Sequence, residues 1–89
     1  MIEREVEIVN RLGLHARAAA KLVHTAGSFK SRVTLAKDGE EVDAKSILGV
    51  LLLAASQGSR VKIRSDGQDE EDAIGAVTNL IANRFDEES

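Results

Sequence analysis

Ile2, Val6 and Ile8, with Arg4 among them, occupy one parity of the opening segment, and Glu3, Glu5 and Glu7 occupy the other. That period of two predicts a half-buried strand. Residues 10–14 read as a loop, with Gly13 supplying backbone freedom just before His15. The period then changes. Ala16, Ala19, Ala20 and Val23 recur at i, i+3, i+4 and i+7, which predicts an amphipathic helix, and Gly27 is its expected stop.

A second strand follows, with Phe29, Ser31, Val33 and Leu35 on one face and Lys30, Arg32 and Thr34 on the other. Asp38-Gly39 is a strong hairpin signal, and Glu40–Asp43 forms the expected return strand. Ser46 is placed to cap a second helix beginning at Ile47. After Gln57-Gly58-Ser59, Val61 and Ile63 alternate with Arg60, Lys62 and Arg64 in a fourth strand that ends at Asp66-Gly67. The last helix opens on Asp69, Glu70, Glu71 and Asp72, where carboxylates complement the helix dipole. Its expected apolar stripe is Ile74, Val77, Ile81 and Phe85, supported by Ala73 and Leu80, and residues 86–89 read as a frayed tail.

The order β-α-β-β-α-β-α implies an α+β domain over residues 1–89. Strands with one apolar face need a cover, and three helices on one side supply it, leaving the other sheet face open to water. Glu3, Glu5 and Glu7 then face outward with Arg32, Thr34, Lys62 and Arg64, where opposite charges pair across strands.

The second helix breaks the amphipathic rule. Ile47, Leu48, Val50, Leu51, Leu52 and Leu53 are apolar all round, interrupted only by Gly49. A domain of 89 residues cannot bury every side of such a helix, so part of it is expected as an exposed docking patch. The alternative is a cover of neighbouring loops that leaves only scattered exposed carbons. Ser46 has a default role as N-cap. Phosphorylation there would place a dianion beside the patch and so alter docking without unfolding the domain.

Composition removes several classes of function. Fifteen acidic against twelve basic residues give a net charge of −3, contrary to the basic face that nucleic-acid binding needs. Two phenylalanines are the only aromatic residues, too few for a base-stacking platform. The chain has no cysteine, which excludes thiolate chemistry and cysteine metal sites. The longest apolar run, residues 50–55, is far too short to span a bilayer. A soluble cytoplasmic protein without membrane insertion is therefore expected.

Gly13-Leu14-His15-Ala16-Arg17 carries the candidate chemistry. His15 stands in the capping place of the first helix, where unpaired amides and the dipole favour an anion. Arg17 adds a planar donor fork suited to phosphate oxygens. Imidazole titrates near neutrality and is a good nucleophile when neutral. These residues suit a phosphoryl group held on a ring nitrogen; an ordinary surface cap is the alternative reading of His15.

That motif, the following alanine-rich segment and Lys45-Ser46-Ile47-Leu48-Gly49-Val50 together resemble HPr, the histidine-containing phosphocarrier family of the bacterial phosphoenolpyruvate-dependent phosphotransferase system. The resemblance covers residues 2–85. It implies an HPr-like open-faced β-sandwich with antiparallel strand order 1423. It also implies that His15 takes a phosphoryl group on Nδ1 from enzyme I and passes it to IIA-type domains of sugar permeases. Arg17 and the backbone amides of Ala16 and Arg17 would stabilise the phosphoryl oxygens. Ile47, Leu48 and Leu51, with Ala20, would form the shared docking surface. Ser46 matches the regulatory serine that HPr kinase/phosphorylase modifies in some bacteria.

Two positions depart from the family pattern. Ala18 stands where proline is usual, which returns an amide donor to the first turn and leaves the entrance less rigid. Ala54 stands where glycine is common, which implies a different end to the second helix.

The resemblance implies a stoichiometric carrier without a cofactor, not an enzyme, and a monomer is expected because transient partners must reach the patch. Alternative readings are the nitrogen-related branch, to which Asn83-Arg84-Phe85-Asp86-Glu87 bears a faint likeness, and a regulatory binding module that carries no phosphohistidine. His15 and His24 lie nine positions apart, about 13.5 Å along a helix axis, too far to share a metal ion. His24 is expected at the surface.

Overall fold

In the computed structural model, which describes residues 1–88, four strands form one antiparallel sheet: β1 (Ile2–Glu7), β2 (Arg32–Lys37), β3 (Glu40–Asp43) and β4 (Arg60–Asp66). Their spatial order is β1-β4-β2-β3. Helices α1 (Ala16–Gly27), α2 (Ile47–Leu52) and α3 (Glu70–Ala82) complete the βαββαβα order of an open-faced sandwich.

Register explains the charge pattern of the open face. Glu3 lies opposite Arg64, Glu5 opposite Lys62 and Glu7 opposite Arg60. Arg64 pairs with Glu3 at 2.6 Å and reaches Glu41 at 3.2 Å, while Arg60 pairs with Glu5 at 3.0 Å. Such exposed pairs each contribute at most about 1 kcal/mol, so they set register more than stability. Asp38 and Gly39 both have positive φ, 52° and 85°, which closes the β2–β3 hairpin with the twist that paired strands need.

The opposite face meets the helices. Val33, Leu35, Val61 and Ile63 pack with Leu22, Val50, Ile74, Val77, Ile81 and Phe85 in a core that also takes in Ile8. Ser46 caps α2 as the sequence predicts, its hydroxyl accepting the Gly49 amide at 3.2 Å. The patch is exposed: Ile47 (43%), Leu48 (65%), Leu51 (36%) and Leu52 (68%) face outward while Val50 is buried.

Several expectations need correction. The buried stripe of α1 is Ala18, Ala19, Leu22 and Ala26; Ala16 and Ala20 are exposed and Val23 is half-buried. A run of alanines has little directional preference, and the large Leu22 side chain decides which face turns inward. Strand β2 begins at Arg32, later than the alternation from Phe29 suggests, because the segment before it is held to α3. Arg4, on the inner parity of β1, is exposed.

Asp69 also departs from its expected role. It stands at the N-cap of α3 but makes no side-chain cap. Its carboxylate instead accepts the backbone amides of Lys30 (2.9 Å) and Ser31 (2.8 Å) together with the Ser31 hydroxyl. These bonds, the Ser31 hydroxyl foremost, hold the Asp69 carboxyl at about 2, well below its ordinary value. Glu70, Glu71 and Asp72 occupy the first turn as expected.

The C-terminal segment is the largest correction. Helix α3 stops at Ala82, and Arg84, Phe85 and Asp86 follow with φ of 58°, 54° and 62°. Phe85 is fully buried, but from this left-handed turn and not from the helical stripe. Glu87 beyond it makes two side-chain contacts, so the tail expected to be frayed is anchored as far as Glu87. Ser89 lies outside the described residues.

Candidate functional site

The loop before α1 is fixed at both ends. Asn10 is fully buried, and its side-chain amide donates to the Gly13 carbonyl at 2.8 Å. The Gly13 amide donates to the Asn10 carbonyl at 3.2 Å, and the Leu14 amide to the Ala55 carbonyl at 2.9 Å. Gly13 has a φ of +66°, and a Cβ there would lie 2.6 Å from the Ala55 oxygen. Conformation and space both require glycine.

This loop delivers His15 to the N-cap of α1 in an extended conformation (φ −72°, ψ 175°). Its carbonyl accepts the Ala19 amide at 2.8 Å, whereas its ring makes no cap bond to the helix. The amides of Ala16, Arg17 and Ala18 have no hydrogen-bond partner among the described residues. Ala16 and Arg17 are exposed at the positive end of the helix dipole, whereas Ala18 is fully buried. The donor expected from the absence of proline at Ala18 belongs to a residue buried in the α1 stripe, not to the open helix mouth.

His15, Ala16 and Arg17 line an open depression of about 670 Å³ together with Arg11, Leu12, Glu87 and Glu88. Arg17 is exposed and makes no ion pair or hydrogen bond among the described residues, so its guanidinium is available to an anion. The imidazole is half-buried. Its Nε2 hydrogen-bonds to Oε2 of Glu87, and Oε1 of the same carboxylate accepts the Asn10 side-chain amide at 3.1 Å. The bond with His15 lowers the Glu87 carboxyl below the usual carboxylate range, against the raising effect of burial, and Asn10 adds to the lowering.

The expected site residues thus fall into two groups. His15, Ala16 and Arg17 share the depression; Ala20, Ile47, Leu48 and Leu51 are exposed on α1 and α2, which pack against one another. Ser46 is half-buried at the start of α2. His24 is exposed, away from His15. Sequence reasoning missed Asn10, Arg11 and Glu87. Nothing local marks Glu87, which meets His15 across 72 positions of chain.

The fold and this histidine at a helix mouth define a small open-faced sandwich with an anion-ready site. Comparison with known proteins supplies the family. A family model described as "PTS HPr component phosphorylation site" matches residues 2–83. The phosphocarrier protein HPr of Xylella fastidiosa is 54% identical over 89 residues, covering all of both chains. The crystal structure of HPr-C-His from Thermoanaerobacter tengcongensis superimposes with a TM-score of 0.97 at 48% identity, again over all of both chains. An HPr dimer from the same organism matches with a TM-score of 0.79, covering 98% of this chain and 100% of that one. The chain belongs to the HPr family of phosphotransferase-system phosphocarrier proteins.

Proposed function

We propose that the chain is a sugar-linked phosphocarrier that takes a phosphoryl group on Nδ1 of His15 from enzyme I and passes it to IIA-type domains. One observation carries the reading: His15, Arg17 and Ala16 line one open depression, and the amides of Ala16 and Arg17 have no partner among the described residues. Arg17 and the amides of Ala16 and Arg17 would share the phosphoryl charge. An open helix mouth holds such a group without trapping it, which suits a carrier that must release what it accepts. The partner supplies most of the positioning and charge neutralisation that phosphoryl transfer needs.

Ala20, Ile47, Leu48 and Leu51 serve in this reading as the surface on which successive partners dock; exposed large apolar side chains on α2 support it. Ser46 is the regulatory position, where a phosphate from HPr kinase/phosphorylase would sit at the border of that surface. A monomer in the cytoplasm keeps the surface free, and sedimentation against concentration tests that state; a dimer covering Ile47 and Leu48 would overturn it.

The decisive experiment incubates the protein with phosphoenolpyruvate and enzyme I and follows intact mass. The expected result is an acid-labile phosphoryl adduct on His15 that moves to a IIA domain and is absent from His15→Ala. Normal throughput in His15→Ala would overturn the carrier reading. Offering the sugar-linked and nitrogen-linked enzyme I in parallel identifies the branch by the better donor.

A further inference from the structure

We propose, on the basis of the phosphoryl-acceptor reading of His15, that Glu87 is a positioning residue: it holds the imidazole with its proton on Nε2 and presents Nδ1 as the attacking atom. An ionised carboxylate only accepts hydrogen bonds, so in the contact between Glu87 Oε2 and His15 Nε2 the proton belongs to the ring nitrogen. Which nitrogen of a histidine is protonated is set by the partner of the other, and here Nδ1 has no partner among the described residues. The lone pair therefore lies on the nitrogen that the carrier reaction uses.

The carboxylate is itself held in place. Its second oxygen accepts from Asn10, which is fully buried and also donates to the Gly13 carbonyl two positions before His15. One amide group thus ties the loop that carries the histidine to the tail that carries the glutamate. The tail is pinned twice more, by the fully buried Phe85 and by Lys21 of α1, whose ammonium donates to the Phe85 carbonyl at 2.7 Å. Arg84, Phe85 and Asp86 all take left-handed conformations that cost energy for residues with a Cβ. Such strain persists only where the surroundings over-determine it, and here its consequence is to return the chain to the helix mouth. Glu87 lies beyond residues 2–83, which the family model matches.

During transfer, the Nδ1 electron pair forms the new N–P bond while the bond from phosphorus to its donor atom on enzyme I breaks and that pair returns to the donor. His15 becomes a phosphorylated imidazolium that keeps its Nε2 proton. The Glu87 carboxylate faces this proton and stabilises the positive ring. Transfer onward reverses the same steps, and no proton needs to leave or enter.

The test compares wild type with Glu87→Ala and Glu87→Gln. Nitrogen-15 NMR at a pH where His15 is neutral reads the tautomer, and single-turnover phosphorylation by enzyme I reads the rate. Wild type is expected almost wholly as the Nε2–H form. In Glu87→Ala the Nδ1–H fraction rises and the rate falls about tenfold, the lower end for losing a charge-assisted hydrogen bond at a half-exposed site. Glu87→Gln has one accepting oxygen for the two donors that the carboxylate serves, so both the Nε2–H fraction and the rate are expected between wild type and Glu87→Ala. It also carries the test if the alanine variant fails to fold. Tautomer and rate unchanged in the folded variants would overturn the role of Glu87 alone. Absence of any adduct on wild-type His15 would overturn this proposal together with the carrier reading.

Discussion

The Ala55 carbonyl oxygen occupies the place that a side chain on Gly13 would need, 2.6 Å from the position of its Cβ. The same oxygen accepts the Leu14 amide, so the close approach also anchors the segment leading to His15. Gly13→Ala must distort a left-handed backbone and push against main chain that has no room to yield. The expected loss is roughly 2–4 kcal/mol, read as a lower urea midpoint at unchanged slope. Phosphorylation of the surviving folded fraction should also slow, because the ring is displaced from the helix mouth.

Ala54 gives a prediction of opposite sign. It follows the α2 cap at Leu53 with a φ of 53°, the left-handed position in which glycine usually ends a helix. A Cβ in that conformation costs about 1–2 kcal/mol, whereas extra freedom in the unfolded chain costs glycine roughly 0.5–1 kcal/mol. The first effect wins. Ala54→Gly should stabilise the protein by about 0.5–1 kcal/mol in a denaturant titration.

Ser46→Ala removes the hydroxyl that accepts the Gly49 amide. The expected cost is about 1 kcal/mol of stability. Phosphoryl transfer at low temperature, where the variant is fully folded, should match wild type.

Asp69 links stability to pH. Its ordinary carboxyl value of 3.8 falls to about 2 in the folded chain. The folded state therefore favours the ionised form, and its contribution is complete above about 4 and is lost as pH falls toward 2. Asp69→Asn should be less stable than wild type at pH 6, with the difference narrowing between pH 4 and pH 2. A gap that widens on acidification would overturn the assignment.

Leu48 is 65% exposed on α2, so Leu48→Glu should change stability by no more than about 0.5 kcal/mol. Its effect belongs to docking. A charge in the middle of the apolar patch should raise the KM for this protein in the enzyme I reaction about tenfold or more, with calorimetric stability unchanged.

Much of the fold is legible in the order of residues along the chain, for identifiable reasons. Alternation in Ile2, Val6, Val61 and Ile63 marks strands, Asp38-Gly39 fixes a hairpin, and Ser46 caps a helix; each signal acts over a few residues. The order of elements then leaves one face of the sheet for the helices, and the alternating charges fall on the other. Ambiguity arises where side chains are too alike to set direction, as among Ala16, Ala18, Ala19 and Ala20. At the site, His15, Ala16 and Arg17 can be read because a helix mouth is a local object.

The sequence by itself determined the strands, the hairpin, the Ser46 cap and the nearness of His15 to Arg17 along the chain, since hydrogen-bonding periods and cap chemistry extend only a few residues. Only the tertiary structure decided that Asp69 would reach back to Ser31 and that three left-handed residues would carry Glu87 to His15. Those contacts join positions 38 and 72 apart, and no local preference encodes them. The second forms because burying Phe85 in the common core fixes where the following residues must lie.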